Sequence, residues 1–137
     1  MPNKFSTKSL ERLEGVHPAL VDLCFHVLQV HDCTVVYGVR TREQQIKLVA
    51  EGFSKTMNSK HLVQSDGTAH AVDLAPYPLD WNNTKRFYYL AGMMKALAPK
   101  YLPDGYVLRW GGDWDMDNDL DDQSFMDLVH FELREVG

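Results

Sequence analysis

Apolar residues follow two different periods along this chain, and each period predicts a different element. A spacing of three and four begins after Pro18 and predicts a helix to about Val30, because proline is favoured at the first helical position. The same signal predicts a short helix from Ser9 to Gly15. The apolar face of the longer helix consists of Leu20, Leu23, Cys24, Val27 and Leu28.

Two later segments carry helix-start signals. Residues 41–44 have the form of a capping box, Thr-x-x-Gln, and predict a helix that ends near Gly52. Asn83 can cap another helix, which we expect to end at about Ala98, before Pro99. Its apolar face is Phe87, Leu90, Ala91, Met94 and Leu97.

Four short segments read as strands, because they are rich in β-branched and aromatic residues or alternate in polarity. They are Cys33–Val39, Ala69–Ala75, Tyr106–Trp110 and Val129–Leu133. Helices come first and strands are interspersed with helices, so we predict an α+β fold with a mainly antiparallel sheet packed by helices on one side. At 137 residues, the chain is predicted to form a single domain over 1–137, and we expect a monomer.

Composition changes this picture little. The chain is 45% hydrophobic and 24% charged, which is ordinary for a globular protein. It has no apolar run long enough to span a membrane, so no stable membrane insertion is expected. The N-terminus lacks the apolar core of a secretory signal. We therefore expect the protein to start in a cytoplasm and to reach any outside target by another route.

The net charge of −5 comes from one acidic loop. Seven aspartates lie within fifteen residues that contain no Lys or Arg, and the rest of the chain has 12 acidic and 14 basic residues. No basic stripe with interleaved aromatic residues is present, which argues against nucleic acid as a partner. The seven are Asp113, Asp115, Asp117, Asp119, Asp121, Asp122 and Asp127.

Alternate positions of this loop resemble the oxygen ligands of calcium loops. Asn118 occupies the glycine position of an EF-hand and Ser124 replaces its glutamate, so a true EF-hand is not expected. A looser calcium site remains open, as does a solvated loop without an ion. The candidate calcium ligands are Asp113, Asp115, Asp117, Asp119 and Asp121.

Two separated stretches together supply a candidate zinc site. A catalytic zinc site needs three protein ligands, an open position for water and a nearby base. His61, Asp73 and His130 can supply the ligands. Asp127, three residues before the last histidine, can supply the base.

The remaining histidines are interpreted differently. His17, His26 and His31 have no carboxylate or histidine partner at ligand spacing and are predicted to be surface or boundary residues. His70 should point away from Asp73, because neighbouring residues on a strand face opposite sides. It remains the fallback ligand.

The order of these motifs resembles a known family. It is similar to the zinc peptidases of the D-Ala-D-Ala carboxypeptidase/hedgehog fold, and most similar to phage endolysins that cleave the L-alanyl-D-glutamate bond of peptidoglycan stem peptides. The resemblance covers roughly residues 15 to 135. The matching segments are Gly38-Val39-Arg40-Thr41, Ser59-x-His61, Ala71-x-Asp73-Leu74-Ala75-Pro76, Trp110-Gly111-Gly112-Asp113-Trp114 and Asp127-x-x-His130-Phe131-Glu132.

The resemblance implies roles for individual residues. The three ligands would bind zinc, Asp127 would act as general base and acid, and Arg40 would hold a substrate carbonyl or carboxylate. From position alone, Arg40 follows a strand end and could equally form a surface salt bridge. Glu132 is either a hydrogen-bond acceptor behind His130 or an ordinary acidic residue at a strand end. Ser59 is a second candidate for a residue that supports the zinc ligands through hydrogen bonds.

The chain departs from the family pattern between two of the ligands. His61 and Asp73 are twelve positions apart, where the family spacing is seven, so five residues within Leu62 to Thr68 look inserted, and Ala69 replaces a family glycine. A loop insertion costs little entropy and need not move its anchored ends, so we keep His61 as the ligand.

Three alternative functions stay open at this stage. They are a D-alanyl-D-alanine carboxypeptidase, a non-catalytic zinc-containing module that binds the cell wall, and a zinc-dependent nuclease. An Asp127-type base argues against a mere binder, and the absence of a basic surface argues against the nuclease. For an endolysin, we expect peptidoglycan as substrate and release from the host cytoplasm through a phage-encoded pore.

Overall fold

One antiparallel sheet of four strands is packed by helices in the computed structural model, which describes residues 3–136. This confirms the predicted α+β fold. The helices are α1 (Thr7–Leu13), α2 (Pro18–Val30), α3 (Arg42–Ala50) and α4 (Thr84–Tyr101). The strands are β1 (Cys33–Tyr37), β2 (Ala71–Pro76), β3 (Tyr106–Gly111) and β4 (Asp127–Glu135).

The strand order is β1-β2-β4-β3, so the C-terminal strand lies between β2 and β3. In this register Asp73 of β2 lies directly opposite His130 of β4. Arg109 of β3 lies opposite Glu132 of β4. Sheet pairing therefore brings together polar residues that are far apart in sequence.

The two faces of the sheet differ, because successive side chains on a strand point to opposite sides. One face packs against α1, α2 and α4 and is apolar; its strand residues include Val72, Leu74, Leu108, Trp110, Phe131 and Leu133. Residues between these positions, including Asp73, Arg109, His130 and Glu132, line a cleft on the other face. Cys24 and Cys33 are buried free thiols.

Several element ends differ from the prediction. Strand β1 ends at Tyr37, and Gly38 lies so close to the backbone of Arg12 that a Cβ would overlap it. Helix α4 continues past Pro99 to Tyr101, although proline has no N–H to donate to the preceding turn. Asn83 precedes this helix without a side-chain capping bond.

Within residues 3–136, none of the helices is both long and apolar enough to cross a membrane.

Candidate metal centre and cleft

Three of the predicted ligands lie side by side in the cleft. His61 Nε2 is 3.1 Å from Asp73 Oδ1, and His130 Nδ1 is 3.2 Å from the same oxygen. Both histidines are buried. The sheet register fixes Asp73 and His130, and His61 reaches them from the loop before β2.

The outer nitrogens of the two imidazoles are both engaged. His61 Nδ1 lies 2.7 Å from the Gly38 carbonyl oxygen, and His130 Nε2 lies 2.8 Å from Glu132 Oε1. These partners only accept, so each outer nitrogen donates its hydrogen. In the neutral rings, the inner nitrogens then present lone pairs toward the Asp73 carboxylate. Three electron-pair donors therefore converge on one point.

This arrangement fits a zinc ion. Bonds of 2.0–2.2 Å at tetrahedral angles would place neighbouring donor atoms about 3.3 Å apart. The two separations from Asp73 Oδ1, 3.1 and 3.2 Å, are close to that distance. Two imidazoles and one carboxylate form a donor set that leaves a fourth position open for water or substrate.

Hydrogen bonds among these side chains change the pKa values of His130 and Asp73. Burial alone would lower the pKa of His130, but hydrogen bonds to Asp73 and Glu132 outweigh it and raise the pKa to about 9. Burial likewise opposes ionisation of Asp73, but hydrogen bonds from His130 and His61 hold its pKa well below its usual range. The centre is therefore built to hold positive charge.

Glu132 links the ligand His130 to a cation behind it. Its second carboxylate oxygen accepts from Arg109 Nη2 at 2.9 Å and from Nε at 3.2 Å. Burial raises the pKa of Glu132, but the hydrogen bond from His130 and the charge of Arg109 outweigh burial and lower it. The carboxylate thus fixes the orientation of the imidazole and favours its basicity.

Asp127 begins β4 and lines the same cleft as the three ligands. Burial, and then the negative charge of Asp73, raise its pKa above the usual value for aspartate. Gly111 lies opposite it in the register, where any Cβ would overlap the Asp127 backbone. The glycine therefore permits the close approach of β3 to the start of β4.

Arg40 lies beside His61. Its backbone N–H donates to the His61 carbonyl at 2.9 Å, and its guanidinium lies 4.8 Å from the Tyr37 ring centroid. Nη1 donates to Ser59 Oγ at 3.4 Å, and the same hydroxyl accepts from the His61 N–H at 3.2 Å. The Nε atom is buried without a partner among the described residues.

Gln45 is a site residue that the sequence analysis missed. Of the nine residues of α3, it is the one that is fully buried. Its Oε1 accepts from Arg40 Nη1 at 2.8 Å, and its Nε2 donates to Ser54 Oγ at 2.8 Å and to the Thr56 carbonyl at 2.6 Å. It therefore joins Arg40 to the loop that forms this wall of the cleft. One signal in the sequence could have indicated it. The apolar residues of α3 do not form a regular helical face, which leaves room for a polar residue on the buried side.

The inserted segment forms an outward hairpin and leaves the ligands in place. Val63 pairs with Ala69, and the Gln64 N–H donates to the Thr68 carbonyl at 2.8 Å. At the base, the His70 N–H donates to the Lys60 carbonyl at 2.8 Å. The hairpin thus begins and ends beside His61.

A second cluster of two histidines and an aspartate lies at this hairpin. His70 Nε2 is 2.7 Å from Asp66 Oδ2, so His70 faces away from Asp73, as predicted. His17 Nε2 is 3.9 Å from the same oxygen, so the prediction that His17 lacks histidine or carboxylate partners is wrong. The loop folds back in space onto the start of α2, which spacing along the sequence does not reveal. His26 also has a carboxylate neighbour, Asp22, at 3.4 Å.

The acidic loop between β3 and β4 contains two groups of converging carboxylates. One is Asp113, Asp115 and Asp117, and the other is Asp117, Asp119 and Asp122. Asp121 is in neither group. The side chain of Asp113 is buried, and its Oδ1 has no hydrogen-bond partner among the described residues.

The cleft around the metal centre has a volume of about 530 Å³, within the usual range for ligand pockets. Four basic side chains line it, Arg40, Lys55, Lys60 and Arg109. Aromatic side chains at its edge are Phe53, Trp114 and Phe125. Three carboxylates, those of Asp73, Asp127 and Glu132, line it as well.

Comparisons with known proteins identify the family of this chain. The family model of the phage L-alanyl-D-glutamate peptidase matches residues 1–134. The L-alanyl-D-glutamate peptidase of Escherichia phage T5 is 32% identical over 131 residues, which cover 90% of each chain. The crystal structure of the Serratia marcescens L-Ala D-Glu endopeptidase ChiX superposes with a TM-score of 0.75 at 28% identity, covering 96% of this chain and 91% of the other. The chain belongs to the phage L-alanyl-D-glutamate peptidase family, and it is an L-alanyl-D-glutamate peptidase.

Proposed function

We propose that this peptidase is zinc-dependent and acts as an endolysin on the stem peptides of peptidoglycan. The observation that carries the proposal is the convergence of three electron-pair donors, from His61, Asp73 and His130, with both outer imidazole nitrogens already bonded. Zinc held there supplies Lewis-acid chemistry and lowers the pKa of a bound water toward neutrality.

Asp127 is the proposed general base and acid. It lines the cleft beside the candidate ligands, and a carboxylate held there can accept a proton and return it. In the forward step it takes a proton from the attacking water. It then returns that proton to the amine of D-glutamate as the peptide bond breaks.

Arg40 is the proposed substrate-binding cation. Its guanidinium is held by Gln45 and Ser59, while its buried Nε has no partner among the described residues. A carboxylate of the D-glutamate residue would satisfy that donor and pair with the charge. Under this proposal, the leaving side of the substrate would lie on the side of the cleft that Arg40 lines.

We further propose that the acidic loop binds calcium through Asp113, Asp115 and Asp117. The unpartnered, buried Oδ1 of Asp113 supports this site. The crowding of carboxylates in the loop supports it too, because a hydrogen bond with Asp117 raises the pKa of Asp122 to about 6.

Since Asp127 follows this loop, calcium would act as a switch that positions the base. An unchanged rate of wall digestion across calcium concentrations would reject the switch, with a variant carrying Asn at 115, 117 and 119 as control.

The proposed setting is lysis of the bacterial host. The protein would be made in the host cytoplasm, pass through a phage-encoded pore and act on the wall as a monomer. Peptidoglycan is the substrate that the peptidase family implies, and the basic side chains of the cleft suit its acidic stem peptides.

Digestion of purified walls tests the proposed function. Mass spectrometry of the fragments should find new peptides that begin with D-glutamate, and a chelator should abolish them until zinc is restored. Release of free D-alanine instead would indicate a D-alanyl-D-alanine carboxypeptidase. Fragments that form at the same rate in excess chelator would reject the zinc mechanism.

A further inference from the structure

A stacked aromatic pair forms one flank of the cleft. The rings of Trp114 and Phe125 are 6.2 Å apart between centroids and inclined by 16°. Both line the cleft, yet Phe125 remains 61% exposed. An exposed aromatic side chain beside polar catalytic groups marks a place where an apolar part of a ligand can bind.

Hydrogen bonds hold Trp114 in place. Trp114 Nε1 donates to the Phe125 carbonyl at 2.9 Å, and the Trp114 N–H donates to Gln123 Oε1 at 3.0 Å. The guanidinium of Arg109 lies 5.3 Å from the Trp114 ring centroid. A ligand that stacks on Trp114 therefore meets a side chain that has already lost part of its conformational freedom.

The platform lies on the His130 side of the metal centre, and Arg40 lies on the His61 side. The Trp114 ring centroid is 5.3 Å from that of His130, whereas the Arg40 backbone bonds to His61. If the D-glutamate side of the substrate meets Arg40, the L-alanine side extends toward Trp114. The platform therefore faces what precedes L-alanine in the substrate.

The chemistry of peptidoglycan fixes what that group is. The amino group of L-alanine is joined through a lactyl ether to a pyranose ring of the glycan strand, so one residue and one lactyl unit separate the scissile carbonyl from a sugar. Two such units span about 7 Å. This reach exceeds the 5.3 Å between the ring centroids of His130 and Trp114, the nearer ring of the platform.

We propose that Trp114 and Phe125 form a subsite for the N-acetylmuramoyl sugar that carries the stem peptide. The apolar C–H face of the pyranose packs on the exposed aromatic surface, while its hydroxyl and acetamido groups stay in water. The inference deepens the proposed function, since it assumes that the peptide bond lies at the metal centre between this subsite and Arg40.

Two substrates that differ only at the L-alanine amino group test the subsite. One carries N-acetylmuramic acid, and the other carries an acetyl group on the same peptide. The wild type should have a higher kcat/KM for the muramoyl peptide. Phe125→Ala should reduce that preference about threefold to tenfold, mainly by raising KM for the muramoyl peptide.

Matched variants separate stacking from a general structural effect. Phe125→Tyr keeps an aromatic face and should retain the preference. Tyr89→Ala removes an aromatic side chain of similar exposure, 63%, from helix α4 away from the cleft, and should change neither substrate. Equal kcat/KM of the wild type for both substrates, or an equal loss on both in Phe125→Ala, would overturn the subsite. The proposed function fails on a different result, which is cleavage of the acetyl peptide in excess chelator.

Discussion

The molecule contains two clusters with the same composition, two histidines and one aspartate. In both, the ligand atoms lie close enough together to consider a metal ion. The cluster in the cleft is His61, Asp73 and His130, and the cluster at the inserted hairpin is His17, Asp66 and His70. They differ in what the remaining atoms of each side chain contact.

The difference lies in the hydrogen bonds around the histidines. At the hairpin, the Ala19 N–H donates to His17 Nδ1 at 3.0 Å, so the ring hydrogen of neutral His17 is on Nε2, the atom that faces Asp66. A donor in that position excludes a metal bond. The Asp66 carboxylate already accepts hydrogen bonds from the His70 side chain and from the Thr68 backbone. These bonds hold the pKa of Asp66 well below its usual range. The hairpin cluster is therefore a structural anchor, and residue composition alone does not identify a metal site.

The largest expected effect separates the two clusters directly. Asp73→Asn, His61→Ala and His130→Ala should each lose bound zinc and nearly all activity, because each removes a ligand. Asp66→Asn should keep one zinc per chain and most of its activity, with a slightly lower melting temperature. Metal analysis after gel filtration measures the stoichiometry. Full zinc in Asp73→Asn, or its loss in Asp66→Asn, would exchange the roles of the clusters.

Asp127→Asn sharpens the distinction between holding the metal and using it. The variant should keep its zinc but lose about 10²- to 10⁴-fold in kcat, since an amide cannot accept the proton from water. Steady-state kinetics alongside metal analysis measure both quantities. Near-normal turnover would remove Asp127 from its role.

Glu132→Gln tests the hydrogen bond that the hairpin cluster lacks. It weakens the acceptor behind His130 and removes the charge that pairs with Arg109. We expect a loss of about tenfold to a hundredfold in zinc affinity or activity. Competition with a fluorescent chelator measures the affinity, and an unchanged affinity and rate would make Glu132 an ordinary acid of β4.

Gln45→Leu should produce a smaller loss that depends on Arg40. Without its Oε1 acceptor the guanidinium loses a partner at 2.8 Å, so we expect KM to rise about threefold to tenfold while zinc content stays the same. A double-mutant cycle with Arg40→Ala isolates this coupling. If Gln45→Leu costs as much in the Arg40→Ala background as alone, Gln45 acts through the loop at Ser54 and Thr56 instead.

The smallest expected effect is the release of a proton from His130 when zinc binds. Because the pKa of His130 is raised to about 9 in the metal-free protein, its imidazole is protonated at pH 7 and must lose that proton when zinc binds. Zinc affinity should therefore fall as pH decreases below 9. Calorimetry in buffers of different ionisation enthalpy should detect the released proton at pH 6, where a zinc-bound water stays largely un-ionised. The absence of proton release at pH 6 would contradict this.

The sequence predicts most of the fold, because its elements are defined by local signals. Pro18 and the capping box at Thr41 locate two helix starts, and both are confirmed. Neither the contact of His17 with Asp66 nor the burial of Gln45 could be predicted, because both depend on where a loop folds back. The metal ligands could be chosen from their motifs, but the hydrogen bonds that distinguish His61 from His70 exist only in the folded chain.

The most direct test of the central claim is anomalous diffraction at the zinc edge from crystals of the zinc-loaded protein. We predict one strong peak per chain, bonded to His61 Nε2, His130 Nδ1 and Asp73, with no peak between His17 and His70. A peak at the hairpin cluster, or a zinc ion in the cleft bonded to His70, would contradict the account.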